Sequence, residues 1–192
     1  TLPSLEGYIQ VNRTMISASA ESTTDIDDEK RAYLIVPTDT DRFPQFVSLR
    51  ERTGDKKELA LSDEGVIINE KFADLLGLSA GDNIYIRIDE STVTPKEVKI
   101  VGITENYIFN YIYMSPGLYK SLYNVEPEIN ILMMNSNNKF STHNLKLALS
   151  RINGVNSVIT NEDELESINE VIKNLNFIIV LMVVSAAILA FV

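Results

Sequence analysis

The sequence contains no cysteine and a single histidine, His143. The first absence excludes a disulfide framework and a thiolate metal site, and the second excludes a site built on two imidazoles. The phosphate-binding pattern G-x-x-x-x-G-K-[ST], the nucleophile pattern G-x-S-x-G and the zinc pattern H-E-x-x-H are also missing. We therefore expect no cofactor and no bound metal, and we expect that the chain is not an enzyme.

Positive charge is scarce, with 17 Lys and Arg residues against 27 Asp and Glu residues and a net charge of −10. A nucleic-acid partner needs clustered cations to neutralise phosphates, so this balance predicts that the chain binds no nucleic acid. An acidic surface attracts cationic partners, and basic peptides are therefore candidate ligands.

Charged residues and histidine are absent from residues 174–192, and from Phe177 onward every residue except Ser185 is apolar. About 20 apolar residues at 1.5 Å per residue cross a hydrocarbon core of about 30 Å. The run thus predicts a transmembrane helix beginning at residue 177. A buried helix in the core of a soluble domain is the alternative interpretation.

The flank of this run is acidic, with one lysine among five carboxylates: Glu162, Asp163, Glu164, Glu166, Glu170 and Lys173. Cytoplasmic flanks are enriched in Lys and Arg, so the preceding domain is predicted to lie on the extracytoplasmic side of the cell membrane. Residues 1–30 show no signal-peptide pattern. Because the apolar run also reaches the last residue, we expect further chain on both sides.

A helix is predicted to start at Asn161, because Asn161 and Glu164 resemble a capping box. Apolar residues then recur at spacings of three and four, as on one face of a packed helix. The residues of this candidate stalk and helix-packing interface are Leu165, Ile168, Ile172 and Leu175, and the period continues through Ile179, Met182, Ala186 and Leu189. The same period would arise if Leu165 and Ile168 packed on their own domain.

The rest of the chain mixes short strands and helices. Strands are predicted around Ile9, Val11 and Met15 and at residues 32–36, 65–68, 83–88, 98–103, 129–133 and 155–159. Helices are predicted at residues 70–76, 116–123 and 142–152. Asn69 is the expected N-cap of the first of these helices and Gly77 its left-handed terminator, and Ser115 is the expected N-cap of the second.

Three segments resemble a known family: VIINEKFADLLGLSAGDNIYIRI from residue 66, VKIVGIT from residue 98 and IYMSPGLY from residue 112. Their order, followed by the apolar run, is similar to the pattern of FtsX-like and MacB-like ABC transporter permeases. The resemblance covers roughly residues 32–192. In that family this segment is an extracytoplasmic domain, the MacB-like periplasmic core domain, beside a transmembrane helix.

The resemblance implies an α+β fold (mixed α/β) that consists of two lobes. The α/β lobe would comprise residues 1–56 and 128–160, and a small β-rich lobe of residues 57–127 would be inserted into it. A stalk helix at residues 161–176 would run into the transmembrane helix at residues 177–192.

It also implies a non-catalytic function, in which the domain couples the motion of a separate ATPase subunit to export or to extracellular partner proteins. The implied partners are that ATPase, the membrane, a second permease or pseudo-symmetric half, and a cationic peptide, lipoprotein or cell-wall protein. A membrane-anchored sensor or receptor ectodomain is the alternative function, and an anchored extracellular enzyme is a third.

An aromatic run lies between the strand predicted at residues 98–103 and the helix predicted from residue 116, and it comprises Tyr107, Phe109, Tyr111 and Tyr113. Such a run packs in a core or along a sheet edge in most proteins. If part of it is exposed, it is the candidate partner surface.

Overall fold

The computed structural model describes residues 5–22, 28–52, 56–89, 94–106, 109–136 and 142–190. It divides into two compact units, Thr1–Ser136 and Asn137–Val192. The seven strands of the first unit are β1 (Leu5–Ser19), β2 (Lys30–Pro37), β3 (Val66–Asn69), β4 (Asn83–Arg87), β5 (Lys96–Thr104), β6 (Tyr111–Tyr113) and β7 (Ile131–Ser136). Its helices are α1 (Glu70–Leu76) and α2 (Pro116–Tyr123), and the second unit contains α3 (Thr142–Leu149) and α4 (Asn161–Ala190). The predicted α+β class is confirmed.

The sheet has the strand order β2-β6-β3-β5-β4-β1-β7, and β1 also pairs with β2. Strands β1 to β6 therefore form a closed ring of pairings. β7 pairs with the first half of β1, outside this ring. The β2–β6 and β3–β5 pairs are parallel, and the others are antiparallel. The β1–β4 and β2–β6 pairs join strands of the two lobes expected from the sequence. The lobe boundaries themselves stay a prediction.

Two hydrophobic clusters lie on opposite faces of this sheet, because neighbouring residues of one strand belong to different clusters. Leu34 and Val36 belong to the first cluster, whereas Ile35 belongs to the second. Helices α1 and α2 cover the first cluster with buried side chains such as Phe72 and Leu118. The segment before β3, including a short 3-10 helix at Phe43–Gln45, contributes to the second cluster.

β1 changes the face that it buries along its length. Ile9 and Val11 pack in the second cluster, whereas Ile16 and Ala18 pack in the first. Met15 lies in the predicted strand, and its side chain is half exposed. The alternation of a strand shows which residues share a face, and the strands beside it decide which face is covered.

The local signals around α1 and α2 are confirmed at the backbone. α1 begins after Asn69 and ends at Gly77, whose φ of 68° is left-handed, where glycine carries no steric cost. α2 begins with Pro116, and the hydroxyl of Ser115 accepts a hydrogen bond from the backbone N–H of Leu118. Both helices are set by short-range sequence.

Three predictions in the last third of the chain need correction. β7 spans Ile131–Ser136, two residues later than expected at its start, because the Asn130 amide is bonded to the backbone N–H and C=O of Arg13. α3 ends at Leu149, before the expected residue 152. The strand predicted at residues 155–159 is wrong. These residues, mostly exposed, pair with no strand, and a β-rich run without a partner does not form a ladder.

Candidate interaction surfaces

The structure separates the aromatic residues of the candidate partner surface. Tyr113 is 4% exposed in the second cluster, Tyr111 is half-buried, and Phe109 is 53% exposed. Tyr107 lies outside the described residues. The run is thus an aromatic ladder that begins in the core and reaches the surface, and its exposed end stays the candidate partner surface.

The rings of this ladder are in contact. Tyr111 stacks on Tyr113 with ring centroids 5.8 Å apart, and Tyr33 lies 5.9 Å from Tyr111. The edge of the Phe109 ring meets both Tyr33 and Tyr111, at centroid distances of 6.0 Å and 6.3 Å and interplanar angles of 89°. Offset and edge-to-face pairs are the favoured arrangements of aromatic rings. The exposed Phe109 ring is therefore held by its neighbours.

Asn69 fixes the backbone before β6. Its fully buried side-chain amide donates to the carbonyl oxygens of Asn106 and Phe109, both at 3.0 Å, and accepts from the N–H of Tyr111 at 2.7 Å. The prediction assigned this side chain to the cap of α1, but it makes no capping hydrogen bond there. Three backbone groups from a distant segment satisfy it instead.

Sequence reasoning missed Arg13. Its guanidinium carbon lies 4.0 Å from the centroid of the Tyr33 ring and 6.0 Å from that of Tyr111, within the range of cation–π attraction. Strand alternation puts Arg13 on the face of Met15, which pairs with Tyr33. No short-range pattern could have predicted this contact, because it depends on the register of β1 and β2.

The deepest phenol of the ladder is not a proton-transfer group at neutral pH. Burial raises the pKa of Tyr113 to about 12, and a long hydrogen bond from Asn106 at 3.5 Å opposes this only in part. A neutral hydroxyl in the second cluster serves packing. Among the described residues, no group of three or more His, Asp and Glu side chains could hold a metal ion.

The second candidate surface lies on α4. The segment Asn169–Ile188 is long and apolar enough to cross a membrane, and none of it is buried. Of the candidate stalk residues, Ile172 and Leu175 are about half exposed. The side chains of Leu165 and Ile168 lie outside the described part of the chain.

α4 begins with a reciprocal cap one residue earlier than the pattern predicted. The backbone N–H of Asp163 donates to the hydroxyl of Thr160, and the carboxylate of Asp163 accepts from the backbone N–H and hydroxyl of Thr160. Lys146 also donates to this carboxylate, at 2.8 Å. The pKa of Asp163 is lowered to about 2, mainly by the hydrogen bond from Lys146 and, to a smaller extent, by the hydrogen bonds from Thr160. The prediction assigned the cap to Asn161 and Glu164, whose side chains lie outside the described part.

Neither a protein-family model nor a curated protein matches this sequence. Among solved structures, the chain is similar to the extracellular domain of a noncanonic ABC-type transporter, YknZ, from Gram-positive bacteria, with 12% identity and a TM-score of 0.46 over 77% of this chain and 72% of that one. It is also similar to the periplasmic region of MacB from Actinobacillus actinomycetemcomitans, with 11% identity and a TM-score of 0.47 over 88% and 78% of the two chains.

A third similar structure is a domain assigned to a permease protein from Porphyromonas gingivalis, with 10% identity and a TM-score of 0.45 over 85% of this chain and 83% of that one. Because these identities and TM-scores are low, the function proposed below rests on the residues of this chain.

Proposed function

We propose that this chain is a non-catalytic extracytoplasmic domain of an ABC transporter permease subunit, coupled to the membrane through α4. The observation that carries this proposal is the continuity of that helix. One unbroken helix, Asn161–Ala190, begins in a hydrogen-bonded polar cap and continues into an exposed apolar segment. The order of the family-like segments supports the assignment to a permease.

The apolar segment needs an environment other than water. It exposes large side chains over successive turns, including Phe177, Ile179 and Val183 at 57–69%. Its 20 residues at 1.5 Å per residue extend about 30 Å, which matches the hydrocarbon core of a bilayer. A membrane would cover this surface, whereas a soluble domain would leave it in contact with water.

The stalk would couple motion because no Pro or Gly interrupts α4 between its cap and its apolar segment. Kinks in helices arise mostly at such residues, so a tilt imposed in the membrane should reach the capped end. In this proposal Ile172 and Leu175 pack on another transmembrane helix of the same permease or of a second copy. A separate ATPase subunit drives the tilt, and a cationic peptide, lipoprotein or cell-wall protein receives it outside.

The predicted location can be tested by labelling, because these 192 residues contain no cysteine. Any cysteine elsewhere in the full-length protein is first replaced by serine. We would place a cysteine at Val125, which is 55% exposed, and a control cysteine at the buried Ile84. Intact bacteria that produce the full-length protein should react with a membrane-impermeant maleimide at the first position. The control should react only after denaturation. Labelling of Val125→Cys that requires cell lysis would contradict the extracytoplasmic location.

Coupling can be tested in the complete transporter, reconstituted with its ATPase subunit. A fluorophore sensitive to its environment, attached to the Val125→Cys site, reports motion of the domain when ATP is added. Ile172→Asp should abolish this response while ATP turnover persists, because a carboxylate cannot pack against an apolar helix. Asn153→Asp introduces the same charge at an exposed position of the same unit, outside α4, and serves as the matched control. Equal responses from the two variants would disprove stalk coupling.

A further inference from the structure

The exposed end of the aromatic ladder and one arginine form a continuous surface. Met15 pairs with Tyr33 across β1 and β2, and Tyr33 pairs with Tyr111 across β2 and β6. Arg13 lies two residues before Met15 and therefore on the same face. Phe109 contacts the rings of Tyr33 and Tyr111. We call these five residues the Arg13 surface.

The guanidinium of this surface is positioned without a carboxylate partner. Its carbon lies 4.0 Å from the Tyr33 ring centroid, and its Nε atom is buried without a hydrogen bond. Among the residues that the structure describes, no carboxylate oxygen lies within 4.0 Å of Arg13, although five other cations form such pairs. A stacked guanidinium keeps its planar donors in a fixed orientation, which suits recognition of a carboxylate.

The backbone of the exposed Phe109 is strained. Its φ of 57° is left-handed, a region that bulky side chains rarely adopt. The side chain of buried Asn69 holds this conformation, because it donates to the carbonyl of Phe109 and accepts from the backbone N–H of Tyr111. The side chain of Asn110 donates to the carbonyl of Arg31 beside it. Strain that the surrounding structure maintains is concentrated at functional sites. Here it fixes an apolar ring, 53% exposed, beside a cation.

We infer that the Arg13 surface binds an extracytoplasmic partner polypeptide through one acidic side chain flanked by apolar residues. The carboxylate would pair with the guanidinium, and the apolar neighbours would cover Met15 and Phe109. Charge complementarity favours this occupant because the guanidinium has no ion pair in the described structure. The chain's net charge of −10 disfavours a long acidic run, so the segment carries a single carboxylate. The inference relies on the proposed function only for the location of the partner.

The experiment measures peptide binding to the whole chain in detergent micelles by NMR. The probes are N-acetylated, C-amidated tripeptides of the sequences Phe-Glu-Leu, Phe-Gln-Leu and Phe-Lys-Leu. The methyl signal of Met15, one of five methionines, reports binding and is assigned with Met15→Leu. We expect the affinity for the glutamate peptide to be at least about fivefold higher than that for the glutamine peptide, because a carboxylate forms a charge-assisted bidentate pair with a guanidinium.

Arg13→Gln should abolish this preference, and Arg151→Gln, an equal charge change in the other unit, should preserve it. If Arg13→Gln does not keep the native spectrum, Phe109→Ala is used in its place, because it removes only an exposed ring. This variant should lower the affinity for the glutamate peptide about fivefold. Equal binding of the three peptides would overturn the inference, as would a preference for the lysine peptide. A glutamate preference that survives Arg13→Gln would also overturn it, as would an affinity for the glutamate peptide that Phe109→Ala leaves unchanged. Neither ATP nor the ATPase subunit is present, so this result and the coupling result can fail independently.

Discussion

The two units of the molecule use apolar residues in opposite ways. In Thr1–Ser136, apolar side chains are buried on both faces of a sheet, and Leu34, Ile68 and Ile100 are fully inaccessible to solvent. In Asn137–Val192, the described apolar segment of α4, Asn169–Ile188, has no buried residue. Composition alone therefore does not say whether an apolar segment is a core element. The sheet unit supplies its own apolar environment, whereas α4 requires one from outside.

The two units also differ in the range of their contacts. β1 pairs with β7 across more than a hundred residues, and its Val11 lies opposite both Pro37 and Ile131. α4 is held by hydrogen bonds between residues four apart and by a cap three residues long. We therefore expect the sheet unit to unfold cooperatively and α4 to respond locally to substitution.

The largest effect should come from removing a buried ring. Phe72→Ala should reduce the free energy of unfolding of the sheet unit by about 4 kcal/mol, because it leaves a cavity in the first cluster. Phe177→Ala removes the same atoms from a side chain that is 69% exposed, and in micelles it should change this free energy by less than about 0.5 kcal/mol. Urea unfolding followed by near-ultraviolet circular dichroism measures both. Comparable losses would show that α4 is part of the same core.

A smaller but substantial loss is expected at the ion pair within the sheet unit. The Nε atom of Arg87 donates to Glu29 at 2.8 Å, and both side chains are at most 4% exposed. Arg87→Met should cost about 3 kcal/mol, because it leaves a buried carboxylate without its cation. Arg52→Met removes the cation of an exposed pair with Glu70 and should cost less than about 1 kcal/mol. Equal losses in the two variants would mean that Glu29 is accessible to water after Arg87 is removed.

The smallest effect should be confined to the start of α4. The pKa of Asp163 is lowered, so its contribution to stability is present above the ordinary carboxyl pKa and is lost as the pH falls toward about 2. Amide exchange in the first turn should therefore accelerate severalfold between pH 4 and about pH 2, relative to its intrinsic rate. In Asp163→Asn the exchange should be fast throughout, and the sheet unit should keep its protection. Acceleration that also spreads through β3 and β5 would contradict local capping.

Short-range patterns predicted the elements that depend on neighbouring residues. Ser115 with Pro116 marked the start of α2, and Gly77 marked the end of α1, because a cap or a left-handed terminator acts within a few residues. Residues 155–159 had an equally β-rich composition but formed no strand, since a strand requires a second strand beside it.

The proposed binding surface shows where prediction from sequence ended. The aromatic run could be identified from the sequence as a candidate surface, but the roles of Arg13 and Asn69, which position its exposed end, could not. Both act across large separations: Arg13 stacks on Tyr33 through the register of β1 and β2, and Asn69 holds Tyr111 from the end of another strand. Their roles exist only once the strands are paired.

Local chemistry alone thus determined the long apolar helix, the short capped helices and the alternating strands, because hydrogen bonds and side-chain periodicity within one element produce them. The closed order of strands, the change of buried face along β1 and the strained exposure of Phe109 were decided by tertiary structure. Each of these depends on contacts between residues far apart in the chain, whose geometry is fixed only when the sheet has formed.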